Sequence, residues 1–327
     1  MQYRSVKGYT GWGQLGILLL FLGLGFILAL AVQLIIGLKL VPLGIPADKM
    51  GEELLKAIMK PENVGYARLS QVLGSCCLLF IPAACYLLIC HGKNSFWLGF
   101  NKHINGWQVL IGFFLIFFAN LVAGPLEDLT KYFLTHFKGL NTMARHMENA
   151  YSDQVSALSN LKSWGEFMMA LIIMAFFPAL FEEIFFRGAL QNLLERWWKR
   201  PMVALLVTSV LFSLIHMSLY LFLSRVALGF VLGLMYQRSK NLWVNIGAHF
   251  LNNAVALAQL FWIFRHTGKV DPDQTDPKIP LWSGLVAVAI TYGLFILFER
   301  ASAKNNKLVV LAEEVLRHKT DTNNPFT

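Results

Sequence analysis

"FPALFEEIFFRGALQ", Phe177 to Gln191, sets two adjacent glutamates, Glu182 and Glu183, and one arginine, Arg187, in an otherwise apolar run. On insertion scales a charge at the centre of a bilayer costs roughly 2.5–3.5 kcal/mol. That cost applies only if the chain lives in a membrane, so the rest of the sequence decides how this stretch is read.

The chain has 327 residues, of which 56% are hydrophobic and 14% charged. Soluble domains carry about 25% charged residues. The apolar excess lies in long runs. Gln14 to Leu38, Leu69 to Cys90, Ile104 to Leu126 and Pro280 to Phe298 carry no Asp, Glu, Lys or Arg. Each is close to or above the ~18–20 residues that span a bilayer. Phe167 to Phe181, Met202 to Ser224 and Leu242 to Phe264 are similar but include polar or ionisable residues, and Val226 to Gln237 is a shorter apolar segment. Only helices and closed barrels satisfy the backbone in lipid, and no run alternates with period two. The fold class is therefore all-α: a polytopic integral membrane helical bundle of about eight transmembrane helices, one integral domain with no soluble module. The first apolar run is longer than the 7–15 residues of a signal h-region, so it reads as an uncleaved anchor.

The net charge of +9 reads as membrane-surface charge. There is no basic-aromatic pattern of the kind that binds nucleic acid. With the N-terminus in the cytoplasm, the inner segments are Arg4/Lys7, Lys93/Lys102, Arg196/Lys199/Arg200, Arg238/Lys240 and the tail from Arg300. The outer ones, Lys39 to Tyr66, Glu127 to Lys162 and Arg265 to Lys278, are longer and of mixed sign, so the positive-inside rule puts both termini in the cytoplasm. Pro46 to Lys60 and Thr142 to Leu161 are amphipathic and suited to the interface. The tail from Lys304 holds a short amphipathic stretch followed by a disordered end. Trp197 and Trp198 beside Lys199 resemble an interfacial anchor. Cys76, Cys77, Cys85 and Cys90 all fall in the second span, without metal-site or disulfide-framework spacing, and read as packing residues.

Three apolar segments carry polar groups at membrane depth. In the first, Glu183 and Arg187 are four residues apart, share a helical face and can pair. Glu182 points about 100° away from that face and has no local partner. The second has Phe212 and His216, the third His249 and Asn253, again four apart. An arginine–glutamate pair often does no more than stabilise a helix, and one intramembrane histidine or asparagine often serves only a helix–helix hydrogen bond. An unpaired carboxylate, two histidines and an amide on three helices instead suggest a shared cavity. A desolvated carboxylate suits a general base, a histidine orients water or trades protons, and a histidine with an asparagine can donate to a developing oxyanion. Together they describe a hydrolase acting on a carbonyl.

Glu182-Glu183-x-x-x-Arg187, Phe212-x-x-x-His216 and His249-x-x-x-Asn253, in that order, resemble the three-motif signature of the CPBP family, the CAAX-protease and bacteriocin-processing group also called Abi. The resemblance covers about Phe167 to Leu260. It implies a catalytic helical core at residues 161–265, preceded by membrane helices and interfacial segments (1–160) and followed by a last transmembrane helix and cytoplasmic tail (266–327). It implies that Glu182 activates water, that His216 assists, that His249 and Asn253 form the oxyanion site, and that Glu183, Arg187 and Phe212 support the site. No cofactor is expected. If zinc were used, Glu182, His216 and His249 would be its ligands, but the family's better-supported chemistry is metal-independent. The implied partners are the lipid bilayer and a peptide or protein substrate, prenylated or membrane-associated. The implied location is a membrane, the plasma membrane in a bacterium. Two other readings fit the same residues: a transporter or scaffold with a polar cavity, and a family member that binds without cleaving.

Overall fold

The computed structural model describes residues 3–42, 44–159, 161–268 and 281–322. Ten helical segments account for most of them. They are α1 (Gly11–Leu38), α2 (Ala47–Met59), α3 (Pro61–Cys90), α4 (Gly106–Thr135), α5 (Lys138–Leu158), α6 (Trp164–Trp198), α7 (Pro201–Ile215), α8 (Phe222–Ser239), α9 (Leu242–Thr267) and α10 (Leu281–Thr322). Segments α1, α3, α4, α6, α9 and Trp282–Leu316 of α10 are long and apolar enough to cross a membrane. On α1, Leu20, Phe26 and Ile27 are exposed, as lipid-facing side chains are.

All eight apolar segments of the sequence are thus helical, with corrected boundaries. The expected span Met202 to Ser224 is interrupted. Helix α7 stops at Ile215, and Met217 adopts a left-handed φ of 52° before α8 begins at Phe222. The cause is local polarity: the His216 ring donates from Nδ1 to Phe212 O at 2.7 Å, and Ser213 Oγ donates to Phe222 O at 2.8 Å across the turn. At about 1.5 Å per residue, α7 is shorter than the ~30 Å hydrocarbon core. The last span and the amphipathic stretch from Lys304 form one continuous helix, α10. The end of the tail from residue 323, and most of the loop between Arg265 and Lys278, lie outside the described residues. Trp197 joins α6 to α1. It packs edge-on to Trp12, at 4.6 Å between centroids, and against Gly11, where a Cβ would come within 2.3 Å of its ring.

Helix α6 is the centre of the bundle. Every residue from Glu183 to Leu194 is buried, so the helix is enclosed on all sides. Its Phe185, Phe186, Leu190 and Leu193 join Tyr86 of α3, Phe212 of α7 and Tyr236 of α8 in the largest core cluster. The helix widens into π geometry at Leu171–Phe176 and Ile184–Gln191. Pro178 follows the first of these. A proline removes an N–H and clashes with the preceding turn, which the wider turn relieves. The same pairing recurs in α3, where a π segment at Cys76–Phe80 precedes Pro82. There the Cys77 carbonyl faces Gly25 of α1, and a Cβ on that glycine would come within 2.2 Å of the oxygen.

Helices α6, α7 and α8 meet through glycine. Gly233 would bring a Cβ to 2.3 Å from Leu205 Cδ1, and Gly229 would bring one to 3.2 Å from the Ser209 Cα. Both therefore sit at close helix contacts, as small residues four apart suggest. The freed carbonyls are used: Arg187 Nη2 donates to Gly229 O at 3.1 Å and Gln191 Nε2 donates to Gly233 O at 3.0 Å.

Basic residues collect about 20 Å along α6 from Glu182, at its C-terminal end. Lys240 pairs with Glu195 at 3.0 Å, Arg238 with Glu299 at 2.8 Å and Arg196 with Glu313 at 3.6 Å. These come from segments that the charge pattern places on one side of the membrane.

Candidate active site

The two adjacent glutamates have different surroundings. Glu183 is fully buried and each of its oxygens is occupied. Arg187 Nη1 donates to Glu183 Oε1 at 2.8 Å, His249 Nδ1 lies 2.9 Å from the same oxygen, and Asn245 Nδ2 donates to Oε2 at 3.2 Å. The pairing that the four-residue spacing suggests is therefore present, within a larger network. The Arg187 guanidinium also stacks over the Phe212 ring at 4.7 Å. Phe212 in turn packs against both histidines, with ring centroids 4.7 Å from His216 and 6.4 Å from His249.

Glu182 turns the other way, into a cavity of about 420 Å³ that His216, His249 and Asn253 also line. Its Oε1 lies 3.8 Å from His216 Nε2 and its Oε2 lies 3.9 Å from His249 Nε2. Both gaps exceed a hydrogen bond. The carboxylate is held between two imidazoles without being consumed by either.

The tautomers follow from the partners. The Phe212 carbonyl only accepts, and so does an ionised Glu183 carboxylate, so each histidine carries a proton on Nδ1. In the neutral state both therefore turn a bare Nε2 toward Glu182. Donation from His249 Nε2 requires the imidazolium, whose charge Glu183 opposes directly. With Glu182, Glu183 and Arg187 ionised as well, the four charges of such a site sum to zero.

The structure thus brings together all four residues singled out as catalytic, and it places Glu183, Arg187 and Phe212 directly behind them. It also adds residues. Asn245 bridges Glu183 and Leu232 O, to which it donates at 2.7 Å. The signal was available, since Asn245, His249 and Asn253 recur every four residues on one face of α9. Gln71 of α3 and Tyr151 and Gln154 of α5 also line the cavity, with Gln154 Nε2 donating to Gln71 Oε1 at 3.0 Å. No motif marks these three, because they lie far from the signature in sequence. Glu182, His216 and His249, the residues that would ligate zinc if it were used, all line this cavity.

Residues 164–255, from the first residue of α6 to just past Asn253, match the family described as type II CAAX prenyl endopeptidase Rce1-like. Over these residues the chain is similar to that family. The CPBP resemblance seen in the three motifs is the same relationship, met here over the helices that build the cavity. Among curated proteins, the chain is 29% identical over 161 residues to "Putative membrane peptidase YdiL" of Bacillus subtilis (strain 168), covering 47% of this chain and 56% of that protein. It is 33% identical over 94 residues to "Uncharacterized protein YpbD" of the same organism, covering 28% of this chain and 45% of the relative. The chain spans about half the length of the curated relatives it matches. No solved structure matches the chain significantly. The matched stretch thus runs from α6 to most of α9, and Gln71, Tyr151 and Gln154 of the helices before it also line the cavity.

Proposed function

We propose that the chain is an intramembrane endopeptidase in which Glu182 activates water. The observation that carries this reading is the Glu182 carboxylate set between His216 Nε2 and His249 Nε2, at 3.8 and 3.9 Å, in a polar cavity inside an apolar bundle. The Rce1-like match and the peptidase name of the YdiL relative support it.

In this mechanism a substrate peptide enters the cavity with its scissile carbonyl carbon facing a water held against Glu182. Glu182 takes a proton from the water as its oxygen bonds to the carbonyl carbon. His216 hydrogen-bonds that water through Nε2 and fixes its direction. Negative charge develops on the carbonyl oxygen, where protonated His249 Nε2 and the Asn253 amide donate. The C–N bond then breaks, and the proton on Glu182 passes to the departing amine, leaving the carboxylate ready for another cycle. Glu183, Arg187, Asn245 and Phe212 hold the imidazole of His249 and the adjoining helices in place. No step requires a metal or other cofactor.

The bilayer is the solvent for the apolar surface, and the substrate is a peptide or protein, membrane-associated or prenylated. The basic end of the bundle faces the cytoplasm in this reading, with both termini on that side. The test is cleavage profiling of a peptide library by the detergent-purified protein, with Glu182→Gln as control. Cleavage by the parent and none by the variant supports the reading. Equal cleavage by both overturns the role of Glu182, and no cleavage of any peptide overturns the endopeptidase assignment.

A further inference from the structure

Beside the Glu182 cavity lies a second one of about 410 Å³, and Tyr151 and Ala256 line both. The second cavity is polar for its depth, with Asn120, Glu127, Ser224, Arg225 and Asn252 in its wall. Most of these have protein partners. Glu127 pairs with Lys131 of the next turn, Asn120 donates to Asn252, and Ser224 Oγ donates to Ala123 O at 2.7 Å.

Arg225 is held differently. It is half-buried, and among the described residues no carboxylate lies within ion-pair distance of it. Its guanidinium donates once, from Nη1 to His216 O at 3.3 Å, and lies over the Tyr151 ring at 5.1 Å. A guanidinium has five N–H donors, so these contacts aim the group while leaving most of its donors unused. Helix stability does not explain the position. Arg225 stands in the first turn of α8, where the helix dipole disfavours a cation. The group is also tied to the site, since it bonds the backbone of the residue whose imidazole faces Glu182.

We infer that Arg225 is a substrate-binding residue that receives a carboxylate carried by the peptide substrate, and so sets which bond lies against Glu182. The inference rests on the endopeptidase reading and extends it to substrate class. The carboxylate has two possible sources, the substrate's C-terminus or an aspartate or glutamate side chain. Either would form a charge-assisted, bidentate pair with the guanidinium, and this pair would complete the charge balance of the second cavity.

The experiment takes the fastest-cut peptide of the library in three forms: with a free C-terminal acid, with a C-terminal amide, and as an amide carrying an added glutamate near the cleavage site. Each is assayed with the parent protein, Arg225→Lys and Arg225→Gln, reading KM and kcat separately. The expected result is a KM about tenfold or more lower for one carboxylate-bearing form than for the plain amide, the energy of one charge-assisted bond. Arg225→Gln should abolish that preference by raising KM for the carboxylate form alone, and Arg225→Lys should restore part of it. Which form is preferred identifies the source. A parent protein with equal KM for all three forms overturns the inference, whether or not the variants fold. So does Arg225→Gln lowering kcat equally on all three, since that is the behaviour of a residue that only holds the His216 turn. Absence of any cleavage by the parent counts instead against the endopeptidase reading, and this inference falls with it.

Discussion

His249 Nδ1 and Glu183 Oε1 are 2.9 Å apart, whereas His249 Nε2 and Glu182 Oε2 are 3.9 Å apart. Adjacent glutamates thus take opposite sides of one imidazole. Glu183 fixes the ring from behind, and Glu182 faces the nitrogen left open to the cavity. This division of labour yields distinct expectations for the two.

Glu182→Gln should leave the fold intact and remove peptide turnover. Its carboxylate oxygens stand 3.8 and 3.9 Å from the two histidine Nε2 atoms, beyond hydrogen-bond reach, so the neutral isostere breaks no hydrogen bond to either ring. Loss of a general base costs roughly 10²–10⁴ in rate. Thermal stability equal to the parent, together with turnover reduced by that factor, is the expected pair of measurements. Turnover within a few-fold of the parent would reassign the base.

Glu183→Gln should reduce both stability and turnover. Arg187 would be left as a buried cation without its partner, a change that costs about 3–5 kcal/mol in comparable buried pairs. The motif spacing alone suggests only that effect. The contact with His249 adds a second, because a glutamine has no charge to oppose an imidazolium. A lowered unfolding temperature with unchanged turnover in the surviving folded fraction would argue against the second effect.

Asn245→Leu should destabilise without touching the cavity. Its amide donates to Glu183 Oε2 and Leu232 O, and both acceptors are buried. Unsatisfied buried groups cost about 1–3 kcal/mol each. The check is a denaturation midpoint shifted by that order with KM for a cleaved peptide near the parent value. An unshifted midpoint would show that the α9 contact with Glu183 is dispensable.

Gly229→Val should impair activity through packing. Its Cβ would meet the Ser209 Cα and Phe212 Cδ1 at 3.2 Å, and backbone does not yield as a side chain does. Overpacking of this kind costs typically 1–3 kcal/mol. Displacing Phe212 also moves the ring on which Arg187 stacks. Loss of turnover in a still-helical protein, measured by circular dichroism beside the peptide assay, is the expected outcome. Full activity would mean that α7 and α8 tolerate a wider separation.

Sequence by itself determined what depends on local spacing and on solvent. Long runs without charge require a bilayer, because water would reject their exposed leucines and phenylalanines. Four-residue spacing puts Glu183 beside Arg187 and His249 in line with Asn253, because a helix returns to the same face after about one turn. Tertiary structure decided the rest. That Glu183 rather than Glu182 takes His249 depends on how α6 is rotated against α9, which side-chain packing and the π turns of α6 set together. That His216 stands at a helix end depends on hydrogen bonds across the Ile215–Phe222 turn, which an apolar run does not advertise. That Gln71, Tyr151 and Arg225 lie around the site depends on helices α3, α5 and α8 converging on it. Contacts between residues tens of positions apart are fixed by the close packing of whole helix surfaces, and no local spacing carries that information.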